Sequence, residues 1–408
     1  MKNSLFIVLI IVSISYSQIG SIYSNTPIGE LVTDFSVRRN GLGLGIASQE
    51  IYDLNPINPA SWNSIPYVKF IGSFKFSSNS FSDVNSNNKL SNGSFNSLLI
   101  ALPVERSLGI VFSGGIIPYS KINYKVLSPE NTFDSIKYTS RFEANGGITN
   151  YYFGLSSRVK NHFSIGLAAS FLVGTVSKVL STDFLEDNMI DPEFTEKLKY
   201  NGVGVRIGIV SENLNKKFNL KPFTDIRVGF SYLNSVSLNT NLLDLKRGFF
   251  IDTVSEFNFT TKIPSQIAFG LAFNYKNKYN LYIDYLNQNL SNLNSDYKKS
   301  SFELSAHNIY SIGVELIPSS KPKNFFETIS WRAGLFYKDL GIKINGQNIN
   351  ETGIKAGLSF PIDQLNLLDI AVQYSIRGKK EKFFVKESIF NLWIGINFAE
   401  IWFVRSED

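Results

Sequence analysis

Between residues 163 and 173, every second side chain is apolar and outward-looking in pattern. Phe163, Ile165, Leu167, Ala169, Phe171 and Val173 share one face, while Ser164, Gly166, Ala168 and Ser170 share the other. Alternation of this kind belongs to an extended strand, whose successive side chains point to opposite sides. The same pattern recurs at Ile267, Phe269, Leu271, Phe273 and Tyr275, opposed by Gln266, Ala268, Gly270 and Asn274. It recurs again at Phe390, Leu392, Ile394, Ile396 and Phe398, opposed by Asn391, Trp393, Gly395 and Asn397. No long segment keeps a 3.6-residue period. Many runs are about twice the five or six residues usual for a soluble strand. Long strands with an apolar outer face and a small or polar inner face fit a closed barrel in lipid, where closure removes every unpaired edge.

Fourteen such runs can be placed, at 67–80, 93–104, 107–125, 135–160, 163–183, 195–211, 222–240, 255–275, 278–291, 302–317, 329–342, 349–361, 365–378 and 386–403. The number is even, as bacterial single-chain barrels require. The chain is therefore expected to be all-β, a transmembrane antiparallel barrel of about fourteen strands. With the N-terminus in the periplasm, the links 81–92, 184–194, 241–254 and 292–301 face outward and are rich in Asn, Ser, Asp and Lys. Glu105-Arg106, Asn161-His162 and Lys276-Asn277 form tight periplasmic turns. Long loops outside and short turns inside are the asymmetry of such barrels. The links 212–221 and 318–328 are longer than tight turns: either tolerated surface insertions, the commoner case, or surface for a periplasmic partner.

The chain opens with Lys2, an apolar run from Leu5 to Ile14, then Ser15-Tyr16-Ser17. This is the pattern of a secretory signal peptide cleaved after Ser17, giving a 1–17 signal. With Cys 0, disulfides, thiolate metal sites and a lipoprotein anchor are excluded. Aromatics reach 14% while charged residues are 18%, a balance suited to lipid. The net charge of +6 is scattered. It forms no basic helix or aromatic–basic stripe for nucleic acid, and suits anionic membrane lipid and lipopolysaccharide.

Residues 18–62 do not alternate and read as a separate N-terminal element, with the barrel over 63–408. Gly41-Leu-Gly43-Leu-Gly45 looks like a phosphate fingerprint. A dinucleotide site needs a following helix and an acidic residue about twenty positions on. Here two Asn-Pro steps follow, and Asn before Pro is pushed out of the helical region. The glycines are instead expected to let the backbone fold tightly in a narrow space. No cofactor is expected.

"RRNGLGLGIAS", then "NPINPASW" with Asn58, Pro59 and Ala60, then the strand set, resembles the FadL-type outer-membrane transport barrels. The ending "NLWIGINFAEIWFVR" resembles the Bacteroidota branch of that family. The resemblance implies a cell outer membrane location in a Gram-negative bacterium. It implies an N-terminal hatch over 18–62 with Asn58, Pro59 and Ala60 as its motif. It also implies passive uptake of a hydrophobic, fatty-acid-like ligand, with lateral release at a kinked third strand. Some branches are instead subunits of larger outer-membrane machines, for type IX secretion or barrel assembly, with protein partners in the outer membrane or periplasm.

In the third strand, Gly114, Gly115 and Pro118 fall within five residues. Pro cannot donate to a ladder and strand Gly marks a bend, so the residues alone predict a bulge. The resemblance makes them candidates for a lateral gap, backed by the hatch near Asn58 to Trp62. The only histidines are His162 and His307, and Ser305 shares a face with His307. A nucleophile needs a base and an orienter behind it. The pair lacks the third group and is expected to be coincidental, so no enzymatic activity is expected. Glu186, Asp187 and Asp191 do not have the spacing of a calcium loop, and no metal site is expected. On the last strand, a lumen-side change such as Asn397→Lys is expected to be mild.

Overall fold

The computed structural model describes residues 21–84, 87–128, 130–134, 136–159, 162–186, 189–248, 251–295 and 302–401. The expected signal peptide 1–17 and the first residues of the hatch lie outside them. Fourteen antiparallel wall strands close into one ring. They are β1 Val68–Ser82, β2 Asn87–Glu105, β3 Ile110–Leu127, β4 Ile136–Val159, β5 Phe163–Phe184 and β6 Glu193–Ser211. Next come β7, in two parts as Phe223–Leu233 and Val236–Arg247, and β8, likewise as Ile251–Ile263 and Gln266–Tyr275. The remainder are β9 Tyr279–Asn289, β10 Glu303–Leu316, β11 Ser330–Ile344, β12 Gln347–Pro361, β13 Leu367–Arg377 and β14 Lys386–Glu400. The ring closes where β14 pairs with β1, from Lys386↔Ser82 to Glu400↔Val68. Among the described residues no helix is long and apolar enough to cross a membrane.

Facing follows the alternation. Phe390, Ile394, Ile396 and Phe398 are exposed on the outer wall, while Asn391, Trp393 and Asn397 are buried inside. Tyr285, Tyr310 and Tyr337 sit side by side across β9, β10 and β11, with ring centroids 5.0 and 6.2 Å apart. Nearer the end that carries the tight turn Lys276-Asn277, Phe223, Tyr275 and Tyr279 form a second group. Two aromatic bands flanking an apolar belt are what a barrel wall presents to lipid.

Three departures from the sequence reading have physical causes. The outer links are shorter than their composition suggests, because strands run on into them as hairpins. Asn and Ser are poor strand formers, yet here they bond across the ladder, as Ser91 does to Ser78 (3.2 Å) and Asn241 to Asn258 (3.1 Å). The runs 222–240 and 255–275 are each broken, at 234–235 and 264–265, and these breaks face each other between Leu233↔Gln266 and Val236↔Ile263. Pro264 has no N–H to give. Side-chain amides occupy the breach: Gln288 donates to the Pro264 carbonyl (2.8 Å), and the Asn234 side chain accepts the Val205 N–H (2.7 Å).

The third departure is at Asn397. It is 1% exposed, its amide donates to the Tyr52 carbonyl, and Lys69 lies 3.4 Å from its oxygen. A lysine there would bury a second cation beside Lys69, so the change is expected to be disruptive rather than mild. Ile394→Arg is expected to cost about 2–4 kcal/mol if it lies at the bilayer midplane, and Asn397→Lys is expected to be comparably damaging. Asn239→Lys, on the outer hairpin, is expected to be neutral. Heat-modifiable migration of membrane-inserted protein checks all three. Normal insertion of Asn397→Lys would show that this part of the lumen is open to water.

Candidate functional site

The N-terminal segment from residue 21 packs inside the ring. Its hydrogen bonds run to β3, to β5–β7 and to β9–β14. Close approach is permitted by glycines on the wall. A Cβ built on Gly334 would stand 1.9 Å from the Leu42 carbonyl oxygen, one on Gly208 2.0 Å from Asn58, and one on Gly166 2.3 Å from Pro59. Gly41 packs directly on Gly357. At Gly41 glycine thus meets glycine, backbone to backbone, whereas Gly43 faces the Ser311 side chain and Gly45 the Arg39 guanidinium.

The phosphate-like loop does receive an anion, but from the protein's own wall. Gly45, at φ +63, and Ile46 donate their N–H groups to the Asp284 carboxylate at 2.8 and 2.9 Å. Successive backbone N–H groups around a left-handed residue make an anion-binding concavity, and here Asp284 fills it.

Asn58, Pro59 and Ala60 stitch the segment together. The Asn58 oxygen accepts the Ala60 N–H (3.1 Å) and starts a short helical turn, Pro59–Ser64. Its amide donates to the Ile46 carbonyl (2.7 Å), and Trp62 donates to the Asn55 carbonyl (2.8 Å). Pro59 and Ala60 rest on Gly166 and Gly208 of β5 and β6.

Below the glycine run lies a buried ion network. Arg38 bridges Glu50 of the segment (2.5 Å) and Glu315 of β10. Arg39 binds Glu50 (3.1 Å) and Asp53, and the Tyr282 hydroxyl donates to Glu50. On the wall, Arg332 pairs with Asp369 at 3.3 Å. A second group lies above it. Arg377 contacts Glu30, Glu351 and Glu387 at 2.7, 2.6 and 3.3 Å, and Lys338 binds Glu30 at 2.8 Å. Buried charge is tolerated only when paired, and these pairs tie the segment to the wall.

The upper lumen beside β3–β9 is packed with apolar side chains, including Ile28, Leu31, Tyr119, Ile122, Leu172, Leu198, Leu238 and Leu290. On the other side the described residues enclose a cavity of about 160 Å³, lined by Lys75, Lys121, Lys338, Lys355, Glu30 and Asp34 among others.

Gly114 and Gly115 pair with both neighbours, to Ile100 and Leu99 of β2 and to Phe153 and Tyr152 of β4. The β2–β3 ladder then stops at Leu98↔Ile116. Pro118 pairs only with Thr149 of β4, followed by a register shift that leaves Tyr119 extra. Beyond it, β3 takes its second partner from the N-terminal segment: Glu30↔Lys121 and Leu31↔Ser120, with the Val32 N–H on the Tyr119 carbonyl (3.0 Å). The split is thus backed at Glu30–Val32, not at Asn58–Trp62. Trp62 packs lower, with Leu99 and Tyr152.

Ser305 and His307 fall across a register shift between Leu304 and His307, and His307 is buried. Asp191 accepts the Phe184 N–H (2.8 Å), and Asp187 lies outside the described residues. The ion network is absent from the sequence reading. The signal for it is charge at inward positions of the strands, as at Asp284, Glu315, Arg332, Glu351 and Arg377.

A closed fourteen-strand wall around a packed N-terminal segment defines the FadL-type class of outer-membrane barrel fold. Solved structures share it. The CymD monoaromatic hydrocarbon channel aligns at TM-score 0.59 and 15% identity, over 89% of this chain and 97% of its own. A Pseudomonas aeruginosa FadL homologue aligns at 0.59 and 12%, over 91% and 99%. The Ralstonia pickettii toluene transporter TbuX aligns at 0.52 and 14%, over 84% and 92%. The chain itself belongs to the BamG family, whose model matches residues 1–407. No curated protein matches it.

Proposed function

We propose that the protein is a non-transporting barrel subunit of a larger outer-membrane protein machine. Its seat is the outer membrane of a Gram-negative bacterium, in the Bacteroidota branch that the last strand resembles. Residues 18–62 act in this reading as a fixed hatch, and 63–408 as the barrel. The observation that carries it is the filled lumen. Small-molecule pockets measure roughly 300–1,000 Å³ and are mostly apolar. The lumen cavity is about 160 Å³ with five Lys and Arg side chains in its lining, and the apolar pocket of about 890 Å³ is lined mainly by outward-facing residues such as Phe269, Leu271, Ile283 and Ile354. A hydrophobic passenger would have to break buried ion pairs. A second support lies on the long periplasmic links, where Phe218, Leu220, Phe325 and Phe326 are exposed. Clustered exposed apolar side chains mark contact sites with protein or membrane. Native mass spectrometry after gentle extraction tests the reading. A co-purifying protein with no hydrocarbon or fatty-acid passenger is expected, and such a passenger bound without a partner would overturn it.

The split between β2 and β3 favours a second reading, hydrophobic uptake with lateral release at Gly114, Gly115 and Pro118. Of the similar structures, CymD is a monoaromatic hydrocarbon channel and TbuX a toluene transporter. Because Val32 and Tyr119 share the hydrogen-bonded site, Leu31 and Ser120 occupy the closer, non-bonded site. Their Cα atoms should then lie about 4.5 Å apart, at the lower end of disulfide reach. Leu31→Cys with Ser120→Cys is expected to oxidise readily in this cysteine-free chain, seen as altered gel mobility that reductant reverses. If the split is an exit, oxidation abolishes uptake of a labelled hydrocarbon. Uptake unchanged by the lock would eliminate the lateral path.

A further inference from the structure

The cavity beside the split has an unbalanced set of charges. Lys75 is held by Asp34 (2.6 Å), Lys338 by Glu30 (2.8 Å), and Arg377 by Glu30, Glu351 and Glu387. Those contacts engage the three acids that line the cavity, Glu30, Asp34 and Glu351, and Glu387 beside it. Lys121 and Lys355 line the same cavity. Lys355 lies over the Phe336 ring at 5.0 Å, and neither lysine makes an ion pair among the described residues. Asn92 of β2 and Asn123 of β3 add amides at the two edges that have parted.

The height of the cavity indicates what reaches it. On the outer face of β1, Phe70, Phe74 and Phe76 are exposed, and Ser78 and Ser80 follow. On β2, Leu98 and Phe95 give way to Ser91 and Lys89. The apolar band therefore ends level with Lys75, Asn79 and Asn92, which line the cavity from within. That level is where lipid headgroups of the outer leaflet lie.

We propose that this cleft binds the phosphate of an outer-leaflet lipid headgroup. Lys121 and Lys355 are its charge partners and Asn92 and Asn123 its neutral donors, while the acyl chains stay in the bilayer outside the split. Lysine serves phosphate as a compact point charge. The inference is independent of the subunit reading, since a lipid held here neither needs nor excludes a protein partner.

The test uses the intact protein in nanodiscs of phosphatidylcholine containing lipid A, with retained lipid counted by native mass spectrometry. Wild type is expected to retain lipid A. Losing a hydrogen bond to a charged group is worth roughly tenfold in affinity, so Lys121→Gln with Lys355→Gln is expected to reduce retention at least that much. Lys379→Gln, on an outer hairpin, should leave retention unchanged. Heat-modifiable migration confirms that each variant is folded. A parallel arm offers inorganic phosphate alone. Binding of the free ion with no lipid retained overturns the lipid source, and equal retention by folded double variant and wild type overturns the site.

Discussion

Arg38→Met is expected to loosen the N-terminal segment and cost about 3–5 kcal/mol, the usual penalty for removing one partner of a buried ion pair. It strips Glu315, which is fully buried, of its arginine and leaves it only Ser330 and Asn280. It also removes one of the two guanidiniums at Glu50. Trypsin cleavage after Arg39 and the unfolding temperature in detergent check this. By contrast, Lys343→Met breaks the exposed pair with Glu303 (34% and 65% exposed), and surface pairs contribute roughly 0–1 kcal/mol. Equal effects of the two changes would mean that water reaches the network.

The same network sets a pH dependence. Burial pushes the Glu50 carboxyl up, but Arg38 and Arg39 more than reverse this and hold it well below the usual range. A carboxylate with a depressed folded pKa stabilises the fold above its unfolded value, about 4.3, and loses that contribution as pH falls toward the folded value. Protease resistance of the segment is therefore expected to be flat from pH 8 to about 5 and to decline below about pH 4.

The wall was legible because its signal is local. Period two, an even count and tight turns such as Lys276-Asn277 need only neighbouring residues. The breaks in β7 and β8 were half legible. Pro264 in mid-strand announces a missing donor, but its answering partner, Gln288, lies 24 residues on. The lumen was not legible, because its contacts join distant positions. Arg38 and Glu315 are 277 residues apart, and nothing near the twin arginines names that partner. Gly114 and Gly115 stay paired on both sides, and the β2–β3 ladder ends one residue on, at Ile116. The backing of the split was misplaced because that depends on how the segment threads the lumen, which only the Glu30–Val32 pairing with β3 reveals.

The contact between segment and wall predicts the second large effect. Gly208→Ala and Gly334→Ala each place a Cβ where segment atoms already stand, Asn58 at 2.0 Å and the Leu42 carbonyl at 1.9 Å. At Gly334 the obstacle is backbone, which cannot rotate aside. At Gly208 the side chain is itself fixed by bonds to Ile46 and Ala60. Overpacking costs typically 1–3 kcal/mol per site, and the two sites lie on different strands against different parts of the segment, so their effects should nearly add. The double variant is expected to keep its barrel but expose the segment, giving new trypsin cleavage at Arg38 and Arg39 and leakage of small ions through reconstituted protein. Gly72→Ala is the matched control, since nothing stands within 4 Å of its Cβ. Freedom lost by the unfolded chain should make that change neutral or slightly stabilising. If the double variant stays sealed and protease-resistant like Gly72→Ala, the segment has room to shift. A hatch with room to shift is one that could open, and the transport reading would then overtake the subunit reading.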